Sequence, residues 1–188
     1  VIEACGNVLT FIQERLERSA RTAKLEHVNL HALDLVNVMN VVVMQNLPAA
    51  AKKEIDLSMD YPDEHRIEVR ADHNALCRVL DNLVSNAIKF SPPKRAVRLA
   101  VAHNGDSSHI RTEVRDQGPG LSADDRARLF QPYVRLSAQP TAGESSTGLG
   151  LSIARDLVEK MGGNIGCESD EGLGACFWVS LPKAGPPP

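Results

Sequence analysis

Apolar residues recur at Val1, Cys5, Val8, Leu9, Ile12 and Leu16, with Glu14, Arg15, Glu17 and Arg18 on the other faces. That spacing predicts an amphipathic helix from Val1 to about Lys24. No capping residue precedes Val1, so the helix is expected to continue upstream in a longer parent protein. A second helical stretch reads from Asn29 to about Asn46 and is punctuated by Leu47-Pro48. Two short strand-like runs follow, at Ile55–Met59 and Arg66–Arg70. Asp72 is placed to cap a helix in which Leu76, Val79, Leu80, Leu83, Val84 and Ala87 keep a three-and-four rhythm until Ser91-Pro92-Pro93 stops it.

Ala96–Ala102 and Ile110–Asp116 alternate like strands across the polar loop Asn104-Gly105-Asp106-Ser107, which predicts a hairpin. Ser122 with Asp125 three residues on resembles a capping box and starts a short helix through Phe130. Ser137 to Thr147 is small and polar with no apolar period, as expected of a mobile loop. Gly148–Met161 reads as a helix closed by Gly162-Gly163, and Asn164–Glu168 with Ala175–Leu181 as a last strand pair. Hairpins frame the helices and no regular βαβ alternation runs along the chain. The expected fold class is therefore an α/β two-layer sandwich, a mixed and mostly antiparallel sheet packed against helices. The domain proper is placed at 28–183, with residues 1–27 an appended partial helix and 184–188 a disordered tail.

At 188 residues, 43% hydrophobic and with a net charge of −3, the chain is long enough to bury a core in one ordinary domain. Its 21 basic residues are scattered among 24 acidic ones without a Lys/Arg block, which argues against a nucleic-acid partner. Cys5, Cys77, Cys167 and Cys176 form no CxxC pair and read as small buried hydrophobes of a reduced, cytoplasmic protein. No apolar run reaches the ~20 residues needed to span a bilayer, although a parent protein could be anchored elsewhere. The six histidines are dispersed, which favours solvated or core roles over metal ligation.

Four segments carry candidate chemistry. Asn82, Asn86 and Lys89 share one stripe of the helix after Asp72. An amide oxygen suits magnesium and an ammonium suits phosphate, while a merely solvated face would also fit. The turn Asp116-Gln117-Gly118-Pro119-Gly120 delivers a carboxylate at a strand end, able to accept a hydrogen bond from an exocyclic amine such as that of adenine. An ordinary turn would use the same residues. The run Gly118 to Ala123 also fits a GxGxxG/A dinucleotide fingerprint, but the helix after it is short and no acid stands at a strand end ~20 residues on. Thr147-Gly148-Leu149-Gly150-Leu151 opens a helix whose free N–H groups can take an anion, and no GxxxxGK[ST] P-loop occurs. Arg135, beside the expected mobile loop, could reach a terminal phosphate or simply sit at the surface.

In order and content these segments resemble the Bergerat-type ATPase fold, and sensor histidine kinases in particular. Asp81–Ser91 is similar to their N box, Asp116–Leu121 to the first glycine box, Leu129–Arg135 to the F box and Ser146–Leu151 to the second glycine box, so the resemblance covers residues ~70 to 182. Leu16 through Leu25 looks like the end of the second helix of a dimerisation and phosphotransfer hairpin, whose first helix and acceptor histidine are absent.

The resemblance implies ATP and Mg2+ as cofactors. Asn86 would coordinate the metal, Asn82 and Lys89 would support and contact the phosphates, and Phe90 would pack on the purine. Asp116 would read the adenine amine, and Gly118 and Gly120 would shape the base pocket. Thr147, Gly148, Leu149 and Gly150 would present amides to the phosphates, Arg135 would help place the γ-phosphate, and Ser137 to Ser146 would be the lid. Asn82, Lys89 and Arg135 are the implied catalytic residues.

The implied activity is transfer of the γ-phosphate to a histidine outside this chain and then to a response-regulator aspartate, with a homodimeric parent. Ser146 stands where a glycine is usual and Pro132-Tyr133 where a second Phe is common. The alternatives are a degenerate ATP-binding scaffold, against which Asn86, Asp116 and the Gly148–Gly150 start argue, and another ATPase or serine kinase of the same fold, disfavoured by the Leu16–Leu25 remnant.

Overall fold

Backbone hydrogen bonds organise the chain around one five-stranded sheet and one two-stranded sheet. The computed structural model describes residues 27–62, 66–102, 108–134, 139–141 and 148–185. The amphipathic stretch 1–26, the hairpin loop, most of the Ser137–Thr147 loop and the end of the tail lie outside them.

The elements in order are β1 (His31–Asp34), α1 (Leu35–Lys52), β2 (Asp56–Asp60), β3 (Glu68–Ala71), α2 (His73–Phe90), β4 (Ala96–Ala102), β5 (His109–Arg115), α3 (Ala123–Arg128), α4 (Gly150–Lys160), β6 (Asn164–Ser169) and β7 (Ala175–Pro182). The large sheet runs β2-β4-β5-β7-β6, and β1 pairs with β3 in the small one. Among the described strands only β2 and β4 run parallel; the other pairs are antiparallel. This is the mixed, mostly antiparallel sandwich expected from the alternation of hairpins and helices.

Val97, Leu99, Val114, Phe177, Val179 and Leu181 alternate onto one face of the large sheet and are buried. Helix α2 lays Leu76, Val79, Leu80, Leu83, Val84 and Ala87 against that core, as its three-and-four rhythm requires, and α1 and α4 pack on either side of it. The opposite sheet face is polar. There Glu113, 6% exposed, accepts from Arg111 at 2.8 Å and Arg115 at 2.6 Å, and Arg111 stacks on Trp178 at 4.7 Å. Cys77, Cys167 and Cys176 are free thiols, and burial pushes Cys167 up to about 12 and Cys176 to about 11.

Local chemistry explains the boundaries. Asp72 caps α2, its carboxylate accepting from the Ala75 N–H at 2.9 Å, and Ser122 caps α3 by accepting from the Asp125 N–H at 3.1 Å. The stretch read as helix from Asn29 begins instead with β1. Asp34 ends that strand and caps α1 by accepting from the Val36 N–H at 3.0 Å. Nor does Pro48 stop α1, which runs on to Lys52. The Ala49-Ala50-Ala51 run after Pro48 has the highest helix propensity, and Ala50 is buried, so packing of the last turn offsets the one hydrogen bond that proline removes. Helix α3 ends at Arg128, short of Phe130, and α4 starts at Gly150 rather than Gly148.

Candidate functional site

The cleft forms where α2, the β5–α3 connection, the start of α4 and the start of β7 meet. It has an open volume of about 440 Å³ and is lined by Asn86 and Phe90 from α2, Asp116 to Leu121 in part, Leu129, Leu151, Ala175 and Phe177. The walls are apolar and few polar groups reach in, the composition of a small-molecule site.

Asp116 follows directly on β5 because the strand delivers it, and its geometry is over-determined. Its backbone N–H donates to Ala175 O at 2.9 Å. Its Oδ1 accepts from the Gly118 N–H at 2.8 Å and the Ala175 N–H at 3.1 Å. Oδ2 is left to the cleft. Burial is the main influence on this carboxyl and pushes its pKa above the ordinary carboxylate range, against the two backbone hydrogen bonds, which pull it down.

The glycines are needed for close approach. A Cβ on Gly118 would lie 2.9 Å from Asp116 Oδ1 and 3.2 Å from Phe90 O. Gly120 (φ +71°) and Gly174 (φ +80°) adopt the left-handed region, and a Cβ on either would collide with a backbone oxygen, of Asp170 and Asp116 respectively. Ser169 ties the two turns together: its hydroxyl accepts from the Leu121 N–H at 3.0 Å and donates to Gly174 O at 2.7 Å.

At the other end of the cleft, Asn86 Nδ2 donates to Asn82 Oδ1 at 3.1 Å along one face of α2, and leaves the Asn86 amide oxygen uncommitted. The same Asn82 oxygen would lie 2.5 Å from a Cβ on Gly150, so the start of α4 is pressed against the asparagine pair. Leu149 caps α4 without a side-chain hydrogen bond, which leaves the first amides of that helix and the positive end of its dipole available to an anion. Gly148 (φ +66°) accepts from the Tyr133 N–H at 3.0 Å, and a Cβ there would sit 2.7 Å from Val134 O, so the Tyr133–Val134 segment and the start of α4 are neighbours. Lys89 stands in the last turn of α2 with its ammonium 5.6 Å from the Phe90 ring centroid.

Of the residues singled out in the sequence, Asn86, Phe90, Asp116 and Gly120 line the cleft, Asn82 is bonded to Asn86, Gly118 packs beside Asp116 and Gly150 beside Asn82, while Lys89, Gly148 and Leu149 adjoin these in the chain. Arg135 and Thr147 lie outside the described residues. Sequence reading missed Ser169, Gly174 and Ala175, whose signal was only the Gly172-Leu173-Gly174 turn, and the apolar liners Leu121, Leu129, Leu151 and Phe177. Those liners look like ordinary core residues in one dimension. Among the described residues no group of three or more His, Cys, Asp or Glu is placed to hold a metal, and no helix is long and apolar enough to cross a membrane.

Comparison with known proteins gives concordant results. Residues 71–185 match the family described as histidine kinase-, DNA gyrase B-, and HSP90-like ATPase. The sensor protein GacS of Pseudomonas syringae pv. syringae is 35% identical over 190 residues, a match covering 97% of this chain and 20% of GacS. Among solved structures, full-length ShkA in complex with AMPPNP superposes with a TM-score of 0.71 at 31% identity, over 85% of this chain and 32% of ShkA. Histidine kinase ThkA in complex with the response regulator protein TrrA superposes with a TM-score of 0.70 at 22% identity, over 94% of this chain and 51% of ThkA, a likeness of fold. The chain therefore spans about a fifth of the length of its curated relative.

Proposed function

This chain belongs to the family of histidine kinase-, DNA gyrase B-, and HSP90-like ATPases, and on that premise we propose that it is the ATP-binding catalytic module of a two-component sensor histidine kinase. It binds ATP and passes the γ-phosphate to a histidine on a phosphotransfer hairpin, for relay to a response-regulator aspartate. One observation carries the reading. A single cleft holds a carboxylate with one oxygen free and Asn86, which is bonded to Asn82 beside a helix start that lacks a side-chain cap.

Each residue has a part that follows from its position. Oδ2 of Asp116 accepts from the adenine amine, and Oδ1 is held by backbone so that the carboxylate cannot turn away. Phe90, Leu121, Leu129 and Phe177 exclude water around the purine. The amides at the start of α4 and the ammonium of Lys89 receive phosphate oxygens, and Arg135 is proposed to reach the γ-phosphate. The donor set fits magnesium carried in with the nucleotide: Asn86 offers one amide oxygen, and the remaining positions suit phosphate and water. Held by Asn86, such an ion would supply positive charge to offset that of the nucleotide's phosphates. Residues 1–27 are proposed to be the end of the hairpin's second helix, with 28–183 as the catalytic domain, in a homodimeric parent protein. The AMPPNP-bound relative and the ThkA–TrrA complex support ATP and a response regulator as partners.

Calorimetric titration of the chain with magnesium-ATP and, separately, with NAD tests this reading. Saturable ATP binding that Asn86→Ala weakens and magnesium removal weakens in wild type is expected. Tight NAD binding without ATP binding overturns it.

A further inference from the structure

Lys53 is a lysine that the nucleotide chemistry above does not use, yet it is only 7% exposed. Burying an ammonium is costly unless each of its protons finds a partner. Here its Nζ donates to Ile88 O at 2.7 Å, to Lys89 O at 3.0 Å and to the Thr141 hydroxyl oxygen at 2.5 Å. Ile88 and Lys89 belong to the last turn of α2, whose carbonyls have no partners within the helix and carry the negative end of its dipole. Thr141 binds the same turn. Its N–H donates to Lys89 O at 3.2 Å and its hydroxyl donates to Ser91 O at 2.8 Å.

This last turn reaches the cleft from two directions. It carries Lys89 and Phe90, and Phe90 O is the backbone atom against which Gly118, in the turn after Asp116, is packed. Helix α2 is followed by Ser91 with no glycine to close it, so a cation delivered by the end of α1 and a hydroxyl from Thr141 supply the cap.

We propose that Lys53 and Thr141 are a positioning pair for the nucleotide site: together they hold the end of α2 so that Lys89 and Phe90 meet the ligand, and neither touches it. This rests on the reading of the cleft as an ATP site.

The test is the magnesium-ATP affinity of the intact chain and of Lys53→Met, Lys53→Arg, Thr141→Val and the double variant Lys53→Met/Thr141→Val, each measured well below its own melting temperature. Loss of about tenfold in affinity is expected for Lys53→Met, the order of one buried charged hydrogen bond. A smaller loss is expected for Thr141→Val, no added loss in the double variant, and partial recovery in Lys53→Arg. Melting temperatures lowered with an unchanged dissociation constant would make the pair merely structural and overturn the proposal. Should Lys53→Met fail to fold, an unchanged dissociation constant in Thr141→Val overturns it alone. A wild-type chain that binds no ATP overturns the ATP reading itself, and is distinguished by wild type failing rather than the variants.

Discussion

Replacing Asp116 by Asn changes one atom of the cleft and leaves the frame around it intact. The amide oxygen of Asn takes over the hydrogen bonds now made by Oδ1, from the Gly118 N–H at 2.8 Å and the Ala175 N–H at 3.1 Å. The amide nitrogen then stands where Oδ2 faced the base, and a donor meets the 6-amino group of adenine, itself a donor. A hydrogen bond to a charged group contributes about 1.5–3 kcal/mol, so ATP affinity should fall about 10- to 150-fold.

The same atom should now accept a purine bearing an oxygen at that position. Inosine triphosphate, expected to bind the wild-type chain more weakly than ATP does, should gain relative to ATP in Asp116→Asn by a similar factor. Burial already disfavours the charged carboxylate, so the neutral isostere should melt no lower than wild type. Competitive displacement of a fluorescent ATP analogue by both triphosphates, with thermal melts alongside, gives all three quantities. Asp116→Asn binding ATP within about threefold of wild type, or with its preference between the two bases unchanged, would refute the role assigned to Oδ2.

Acidification should act on the same group. Because the Asp116 pKa lies above the ordinary carboxylate range, ATP affinity should decline as pH falls through that raised value, before surface carboxylates titrate, and the decline should vanish in Asp116→Asn; affinity measured against pH checks this. Asp72 has the opposite sign: burial would raise its pKa, but N–H donors from Ala75, Asn29 and Asn74 and the nearby His31 together hold it low. The stability it contributes is therefore present above the unfolded-state value and lost as pH falls through the lowered one, and Asp72→Ala should cost about 1 kcal/mol in neutral urea denaturation and flatten that pH dependence. Gly150→Ala should weaken ATP binding with little change in melting temperature, because the added Cβ meets only the end of the Asn82 side chain, at 2.5 Å. Leu80→Ala, at a fully buried position of α2, should lose about 2–5 kcal/mol in chemical denaturation.

The parts legible in the sequence were those governed by short-range rules. The Asp72 cap, the apolar rhythm of α2, the β4–β5 hairpin and the Ser122 cap all stand as read, since each depends on residues within one helical turn or one strand pair. Of the residues with a local signature, Asn86, Phe90, Asp116 and Gly120 line one cleft, with Asn82 bonded to Asn86 and Gly150 packed against Asn82.

What could not be read was set by long-range contact. Strand β1 exists because β3, nearly forty positions away, pairs with it in the register His31 to Ala71. Pro48 stays inside α1 because of where Ala50 packs. Lys53 resembles any helix-terminal lysine until Ile88 and Thr141 close over it. Ser169 enters the site through its hydroxyl, which bonds Leu121 N–H and Gly174 O, a link that the Gly172-Leu173-Gly174 turn alone does not announce.

The central claim is most directly tested by phosphotransfer. The chain is incubated with magnesium and γ-labelled ATP together with a histidine-bearing phosphotransfer hairpin supplied in trans, and the hairpin's label is assayed for acid lability and base stability. Acid-labile, base-stable label on the hairpin, lost with Asn86→Ala and Asp116→Asn, is the predicted result. ATP binding with no phosphohistidine on any such hairpin, including that of the protein's own full-length form, would contradict the claim and leave a nucleotide-binding scaffold.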